Sequence, residues 1–348
     1  MILFKEIGYF NGDIHEILVY DNNQTQKEMR SNQCYLSQKY SISLSSVDCS
    51  SLTPVQDIYN VSTATSTITV GAENGVPPYS FSVASGSGTI DSATGVFTIP
   101  ASAGSSSITI TDLLGSSATT TIHYYDEFPS DISGLIAWWD ASSLSNFLDN
   151  SSIGKWGDSS GNGETAFAYN TQTAIYRANS INGFPAVRGA TSKLVAAGLG
   201  ANWATSDGSV FIAVNLNNDT QYGFFDISAT ADFWRLASTG NAYQGTFRDT
   251  RINNTGAMPT SGNYIFSITS GVTDYYQYNN GTQLINTSSS WGVKDDLDIF
   301  NSGSDYFDGD IAELIFYDDE LSPVQRQSIE CYLAQKYNIA DAITASCP

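Results

Sequence analysis

The chain has 348 residues, room for two or three domains. Acidic residues outnumber Lys and Arg by 35 to 14, a net charge of −21, although charged residues make up only 14% of the chain. A surface of that sign repels nucleic acid and anionic membranes, and no apolar run is long enough to span a bilayer. The same acidity either keeps the protein in solution or suits calcium-rich extracellular fluid, where carboxylates find cations.

The first elements of the chain occur twice. "GYFNGDIHEILVYDNNQTQKEMRSNQCYLSQKYSI", Gly8 to Ile42, aligns without a gap with "DYFDGDIAELIFYDDELSPVQRQSIECYLAQKYNI", Asp305 to Ile339. Tyr9, Phe10, Gly12, Asp13, Glu16, Tyr20, Asp21 and Cys34 match Tyr306, Phe307, Gly309, Asp310, Glu313, Tyr317, Asp318 and Cys331. A repeat at this distance is the length of one or two whole domains, not of a solenoid unit. Residues 1–50 therefore read as the closing fragment of one module, followed by a complete second one, and the chain as an excerpt of a longer array. Each copy predicts strand, turn and helix. In "GDIAELIFYDD" apolar and polar residues alternate at Ile311, Leu314 and Phe316. Ser322, Pro323 and Gln325 make a capping box, which the first copy keeps as Thr25 and Glu28. Ile329, Leu333 and Tyr337 recur on one helical face.

Four cysteines fall at matching places, Cys34 with Cys49 and Cys331 with Cys347, at separations of 15 and 16. The pattern predicts two disulfides, and with them export. "MILFKEIGYF" is no signal peptide, so the export signal is expected outside this segment. Zinc is not expected, because the only histidines are His15 and His123 and no CxxC occurs.

From about Leu52 to Asp126 the chain predicts short Thr-rich strands, "STITV", "YSFSV", "GVFTIP", "SSITITD" and "ATTTIHYY", separated by Gly-, Pro- and Asp-containing turns. That is a β-sandwich pattern. "GVPPYSFSVASGSGTIDSATGVFTIP" and "ITITDLLGSSATTTI" resemble bacterial immunoglobulin-like stalk domains, related to cadherin-like repeats. The resemblance implies a spacer over residues 51–127 and a bacterial surface protein. No cadherin-type calcium ligands are visible, and none are assigned.

After the linker "YDEFPSD", residues 128–348 carry "GLIAWWDASSLS", "KWGDSSGNGETAF", "NGFPAVRGATSKL", "GSVFIAVNL" and the closing "FDGDIAELIFYDDELS". These resemble the laminin-G-like, concanavalin A-like lectin/glucanase superfamily of jelly rolls. The expected fold is all-β: an immunoglobulin-like sandwich, then a laminin-G-like jelly roll, each lectin-like unit ending in a short helix.

Some glucanases of that superfamily carry an E-x-D-x-x-E strand, whose alternate carboxylates serve as acid and nucleophile. No such strand occurs here. Asp310 and Glu313, three apart, are expected on opposite strand faces, and both histidines read as incidental surface residues. The protein is not expected to be an enzyme. Laminin-G-like domains often hold calcium at the sandwich edge, which singles out Asp158 and Asn162 of "GDSSGNG" with Asp308, Asp310 and Glu313. The alternative is that "DSSGNG" is a tight turn whose Asp and Asn satisfy backbone groups.

All six tryptophans lie in the third unit. One of the adjacent pair Trp138 and Trp139 is expected in the core, with Trp156 and Trp291 as further core candidates. Trp234, Arg235, Tyr243, Arg248 and Arg251 are the candidate ligand-binding residues, aromatic rings and cations suited to an anionic sugar or a partner's carboxylate. The alternative is that they serve the core and internal ion pairs. The leading reading is a non-enzymatic segment of an extracellular adhesin, binding a surface glycan or protein beside neighbouring repeats of its own chain. A purely structural fibre segment is the first alternative, and a polysaccharide hydrolase or lyase the second.

Overall fold

The computed structural model describes residues 12–20, 26–44, 52–144, 147–189, 191–203, 207–217, 222–227, 233–237, 242–247, 250–254, 261–288, 295–302, 305–307, 309–339 and 347. Two compact units emerge. One comprises residues 1–58, 67–98 and 106–121, the other residues 59–66, 99–105 and 122–348.

In the first unit the Thr-rich segments form strands. Thr67–Thr69 pairs with Val96–Thr98, which also pairs with Thr89–Ile90. Ser80–Gly86 pairs antiparallel with residues 106–111. Phe81, Phe97, Ile108 and Ile110 are buried, and Phe81, Ile108 and Ile110 each stand between Ser or Thr neighbours, as a half-buried sheet requires. The Asp112 carboxylate accepts hydrogen bonds from the N–H groups of Val76, Leu114 and Ser116, which fixes the turn at that end of the sheet. This unit also contains the helix Gln26–Tyr40. Residues 13–20, expected as a strand, join no ladder among the described residues. Cys34 is disulfide-bonded; Cys49, its expected partner, lies outside the described residues.

The second unit is a sandwich of two large antiparallel sheets. One has the order Ser152–Ile153, Ala174–Ile181, Phe184–Arg188, Gly309–Tyr317, Gly208–Leu216, Gly262–Ser270, Tyr275–Asn279, Thr282–Thr287. Leu135–Asp140 is its ninth strand and pairs with the closing strand Gly309–Tyr317. First and last strands are thus neighbours, as a jelly roll demands. The other sheet runs Lys155–Trp156, Ala166–Ala168, Leu194–Ala196, Leu297–Ile299, Tyr222–Asp226, Phe233–Ala237, Ala242–Phe247, Thr250–Asn254. Side chains from both sheets form the main core, among them Trp139, Trp156, Val187, Ile212, Phe225, Ile299, Leu314 and Phe316.

The nine-stranded sheet is covered on its second face as well. There Trp138, Phe211, Ile315 and Tyr317 pack against Ile329, Tyr332, Leu333 and Tyr337 of the helix Pro323–Lys336 and its exit. Both members of the Trp138–Trp139 pair are consequently buried: they face opposite ways, but each way leads into a core. Every position of the closing strand is buried for the same reason. The helix starts at the expected capping box, with the Ser322 hydroxyl accepting from the Gln325 N–H. Cys331 in this helix is bonded to Cys347, 16 residues on.

One local irregularity changes the face assignment of two acids. Between Ile311 and Glu313 the closing strand shifts register against Ala213 and Val214, so Ala312 is an extra residue, a β-bulge. Ile311 and Leu314 both enter the inter-sheet core, whereas Ala312 and Ile315 enter the helix-facing one. Asp310 and Glu313, expected on opposite faces, therefore share the helix-facing side. His123 also departs from expectation. It is half-buried against the rings of Tyr125 and Phe184, not a surface residue.

Candidate ligand-binding face

Of the residues considered for calcium, the described ones, Asp158, Asn162, Asp310 and Glu313, form no common cluster. The Asp158 carboxylate accepts from the N–H groups of Trp138, Ser160, Gly163 and Glu164 at 2.8–3.1 Å and from the Ser160 hydroxyl at 2.7 Å. Asn162 donates its amide to the carbonyls of Leu135 and Ile136 at 2.9 and 3.1 Å. "DSSGNG" is thus a tight turn stapled to the opening strand. Its carboxylate faces five donors, which a cation would have to displace. Asp310 takes a forked bond from Arg188, 2.5 and 2.8 Å, and a bond from the Ser180 hydroxyl. Asp308 lies outside the described residues. Among the described residues no group of three or more His, Cys, Asp or Glu side chains could hold a metal ion.

Glu313 is the hub of a fully buried network. Its Oε1 accepts from the Trp138 indole at 2.6 Å and the Tyr332 hydroxyl at 2.9 Å. Its Oε2 accepts from Lys336 at 2.7 Å and Tyr337 at 2.8 Å. Lys336 also donates to Asp140 at 2.7 Å and Tyr332 at 3.0 Å. One ammonium thus serves two acidic side chains, Asp140 and Glu313. Burial, and secondarily the Asp140 charge, push the Glu313 carboxyl above its usual range despite Lys336. Burial pulls the Lys336 ammonium down, but Asp140 and Glu313 outweigh it and the net shift is upward. No solvent reaches the side chains of Glu313 and Lys336. The network pins the helix to the closing strand.

The open chemistry of the second unit is on the outer face of the eight-stranded sheet. Phe167 and Tyr169 are two residues apart on one strand and its exit, with Ala168 between them packed against the core. Both rings are about half exposed, 55% and 48%. Two such positions stand about 7 Å apart along a strand. The Lys193 ammonium lies 4.5 Å from the Tyr169 ring centre and is ion-paired with Asp298. Burial raises the Asp298 carboxyl, Lys193 opposes this, and Asp296 and Asp295 add to it. Register joins Phe167 and Asp298 into one transverse row. Exposed Lys155 stands opposite Phe167, Phe167 opposite Val195, Val195 opposite Asp298, and Asp298 opposite Asp226.

The row continues in register through Phe233 and Thr246 to Arg251. Four of the five residues singled out from the sequence thus lie on three adjacent strands of this sheet. Register divides them. Arg251 falls in the row of Asp298, and Arg235 stands two positions from Phe233 on its strand. Trp234 is in register with Phe225 and Ile299, and Tyr243 with Leu236, in the alternate rows. Arg248 and the side chains of the other four lie outside the described residues, as does Trp291. Phe167, Tyr169, Lys193 and Asp298 were not singled out from the sequence. The small–aromatic alternation of "AFAY" is the signal that marks the first two.

No protein-family profile matches the chain, and no curated protein matches it. Several solved structures do. Domain 4 of AbnA, a GH43 extracellular arabinanase from Geobacillus stearothermophilus in complex with arabinotriose, is 18% identical, with 55% of this chain and 95% of that chain covered and a TM-score of 0.42. The binding domain of Paraclostridial Mosquitocidal Protein 1 is 13% identical over 61% of this chain and 54% of its own, TM-score 0.43. Trypanosoma rangeli sialidase is 12% identical over 59% of this chain, TM-score 0.41, and the match spans a third (33%) of the sialidase.

Proposed function

We propose that the protein is a non-enzymatic glycan-binding segment of an extracellular surface protein, and that it binds through the outer face of the eight-stranded sheet. The observation that carries this reading is the pair of exposed rings, Phe167 and Tyr169, beside the Lys193–Asp298 ion pair. A sugar presents an apolar ring face and a rim of hydroxyls. Flat aromatic side chains accept the first, and ammonium and carboxylate groups hydrogen-bond the second. Arg251, whose backbone falls in the row of Asp298, and Arg235, two positions from Phe233 in that row, are residues of a type that suits an acidic substituent. The disulfide supports export, and among the described residues no helix is long and apolar enough to cross a membrane.

The test is a glycan array probed with the whole chain, followed by Phe167→Ala with Tyr169→Ala. Both side chains are exposed, so the fold should persist. Each ring lost is expected to weaken binding about tenfold, 1.4 kcal/mol. Binding that survives the double substitution overturns this site. A chain that binds no glycan leaves the spacer reading, and release of shortened saccharide from a bound glycan would replace the proposal with an enzyme.

A further inference from the structure

The first copy of the repeat keeps the polar core of the second, atom for atom. Tyr35 donates to Oε1 of Glu16 at 2.9 Å, and Lys39 and Tyr40 donate to Oε2 at 3.0 Å each. Tyr332, Lys336 and Tyr337 make the same three contacts to Oε1, Oε2 and Oε2 of Glu313. Residues 13–20 and the helix Gln26–Tyr40 are therefore already pinned together in the geometry of a closing strand and helix.

What differs is the cover. Ile14, Ile17, Val19 and Tyr20 are 46–67% exposed, whereas Ile311, Leu314, Phe316 and Tyr317 at the matching places are fully buried. In the second copy the facing sheet covers Ile311, Leu314 and Phe316, the helix side covers Tyr317, and strands pair along both edges. Gly208–Leu216 lies along one edge, and Phe184–Arg188 and Leu135–Asp140 share the other. Arg188 grips Asp310, the match of Asp13. Trp138 and Asp140 complete the Glu313–Lys336 network from the opening strand.

We infer that residues 13–20 and the helix Gln26–Tyr40 are a docking unit whose occupant is an open β-sandwich built like the described strands between Leu135 and Ser302 of this chain. That partner inserts residues 13–20 between two of its strands. It presents a Trp and an Asp two residues apart to Glu16 and Lys39, and an arginine to Asp13. Three apolar residues on one side of residues 13–20 enter its inter-sheet core. The sizes differ at two points. Val19 replaces Phe316, which packs on the rings of Trp139, Trp203 and Phe225, and His15 replaces buried Ala312. The fitting partner is accordingly fuller where Phe316 sits and roomier where Ala312 sits.

The test is an extended chain in which a second copy of residues 132–304 is joined ahead of Gly8, so that residues 8–348 follow it unchanged. A second version adds Val19→Phe and His15→Ala, which restores the sizes. Hydrogen exchange of residues 12–44 is compared with that in the unextended chain. Exchange at 14–20 slowed by about a hundredfold or more in either version, toward that of residues 311–317, is the expected result. Exchange unchanged in both versions overturns the inference. So does slow exchange of these residues in the unextended chain, because the face would then already be covered.

Discussion

The two copies of the closing unit place one set of side chains in two environments. Around Glu313 the four shared residues, Glu313, Tyr332, Lys336 and Tyr337, are buried, and so is the closing strand along its whole length. Around Glu16 the same bonds form with Lys39 43% exposed. Local sequence is therefore enough to make the strand–helix clasp, because a carboxylate, two tyrosines and a lysine find one another at fixed separations. It is not enough to make a sheet, for which neighbouring strands must bring the other half of each ladder. Energy follows environment too. A pair in water contributes little, whereas a buried pair becomes costly once one partner is removed.

The largest expected effect breaks the buried copy. Lys336→Met leaves Glu313 and Asp140 facing each other in the core, and should cost about 3–5 kcal/mol. All six tryptophans lie beyond residue 137, so urea unfolding followed by their fluorescence reads the second unit. Lys39→Met, at the matching place, should leave that transition where it was. Equal losses from the two substitutions would show that burial does not set the difference.

The disulfides extend the contrast. Cys331→Ser with Cys347→Ser opens a closure of 16 residues, worth about 3 kcal/mol, and should lower the same midpoint. Cys34→Ser with Cys49→Ser should not move it. A smaller effect probes the surroundings that only the second copy has. A Cβ added at Gly208 would lie 1.9 Å from the Trp203 ring, on the strand that flanks the closing one. Gly208→Ala should therefore cost about 1–3 kcal/mol by overpacking. An unchanged midpoint would mean that the ring moves aside.

Much of this fold was legible because its signals are local. Ser322 and Gln325 announce the helix start, alternation announces the closing strand, and the repeat marks the pair as one unit. The bulge at Ala312 left one sign in the sequence: Ile311 and Leu314 in "GDIAEL" are three apart, which strict alternation would put on opposite faces, yet both enter one core. That single residue put Asp310 and Glu313 on one face. Trp138 and Trp139 misled for a related reason. Alternation says that two neighbours face apart, but only the tertiary structure says whether the second face also meets a core. The candidate site was half legible. Clustered cations drew attention to strands of the sheet that carries the candidate face, but Tyr169 and Lys193 are 24 residues apart in sequence and become neighbours only through the ladder that pairs Phe167 with Val195 and Ala168 with Leu194.

The smallest expected effect is a difference of sign in pH dependence. Burial raises the Glu313 carboxyl above its usual 4.5. The unfolded chain then releases this proton before the folded one does. The contribution is full below about pH 4.5 and is lost as pH rises through the folded value. Lys336, also raised, acts at the other end: its contribution holds below its usual 10.5 and is lost as pH rises through its folded value. At Glu16 the Lys39 bond comes first among the causes and lowers the carboxyl. Its contribution is present above 4.5 and is lost as pH falls through the folded value. Hydrogen exchange read separately for residues 12–44 and 309–339, with intrinsic rates corrected for pH, resolves the two. Between pH 4 and 6 the part of protection that depends on Glu16 should grow, and the part that depends on Glu313 should shrink, each measured against its Glu→Gln variant. Parallel trends would mean that burial does not reverse the titration of this shared clasp.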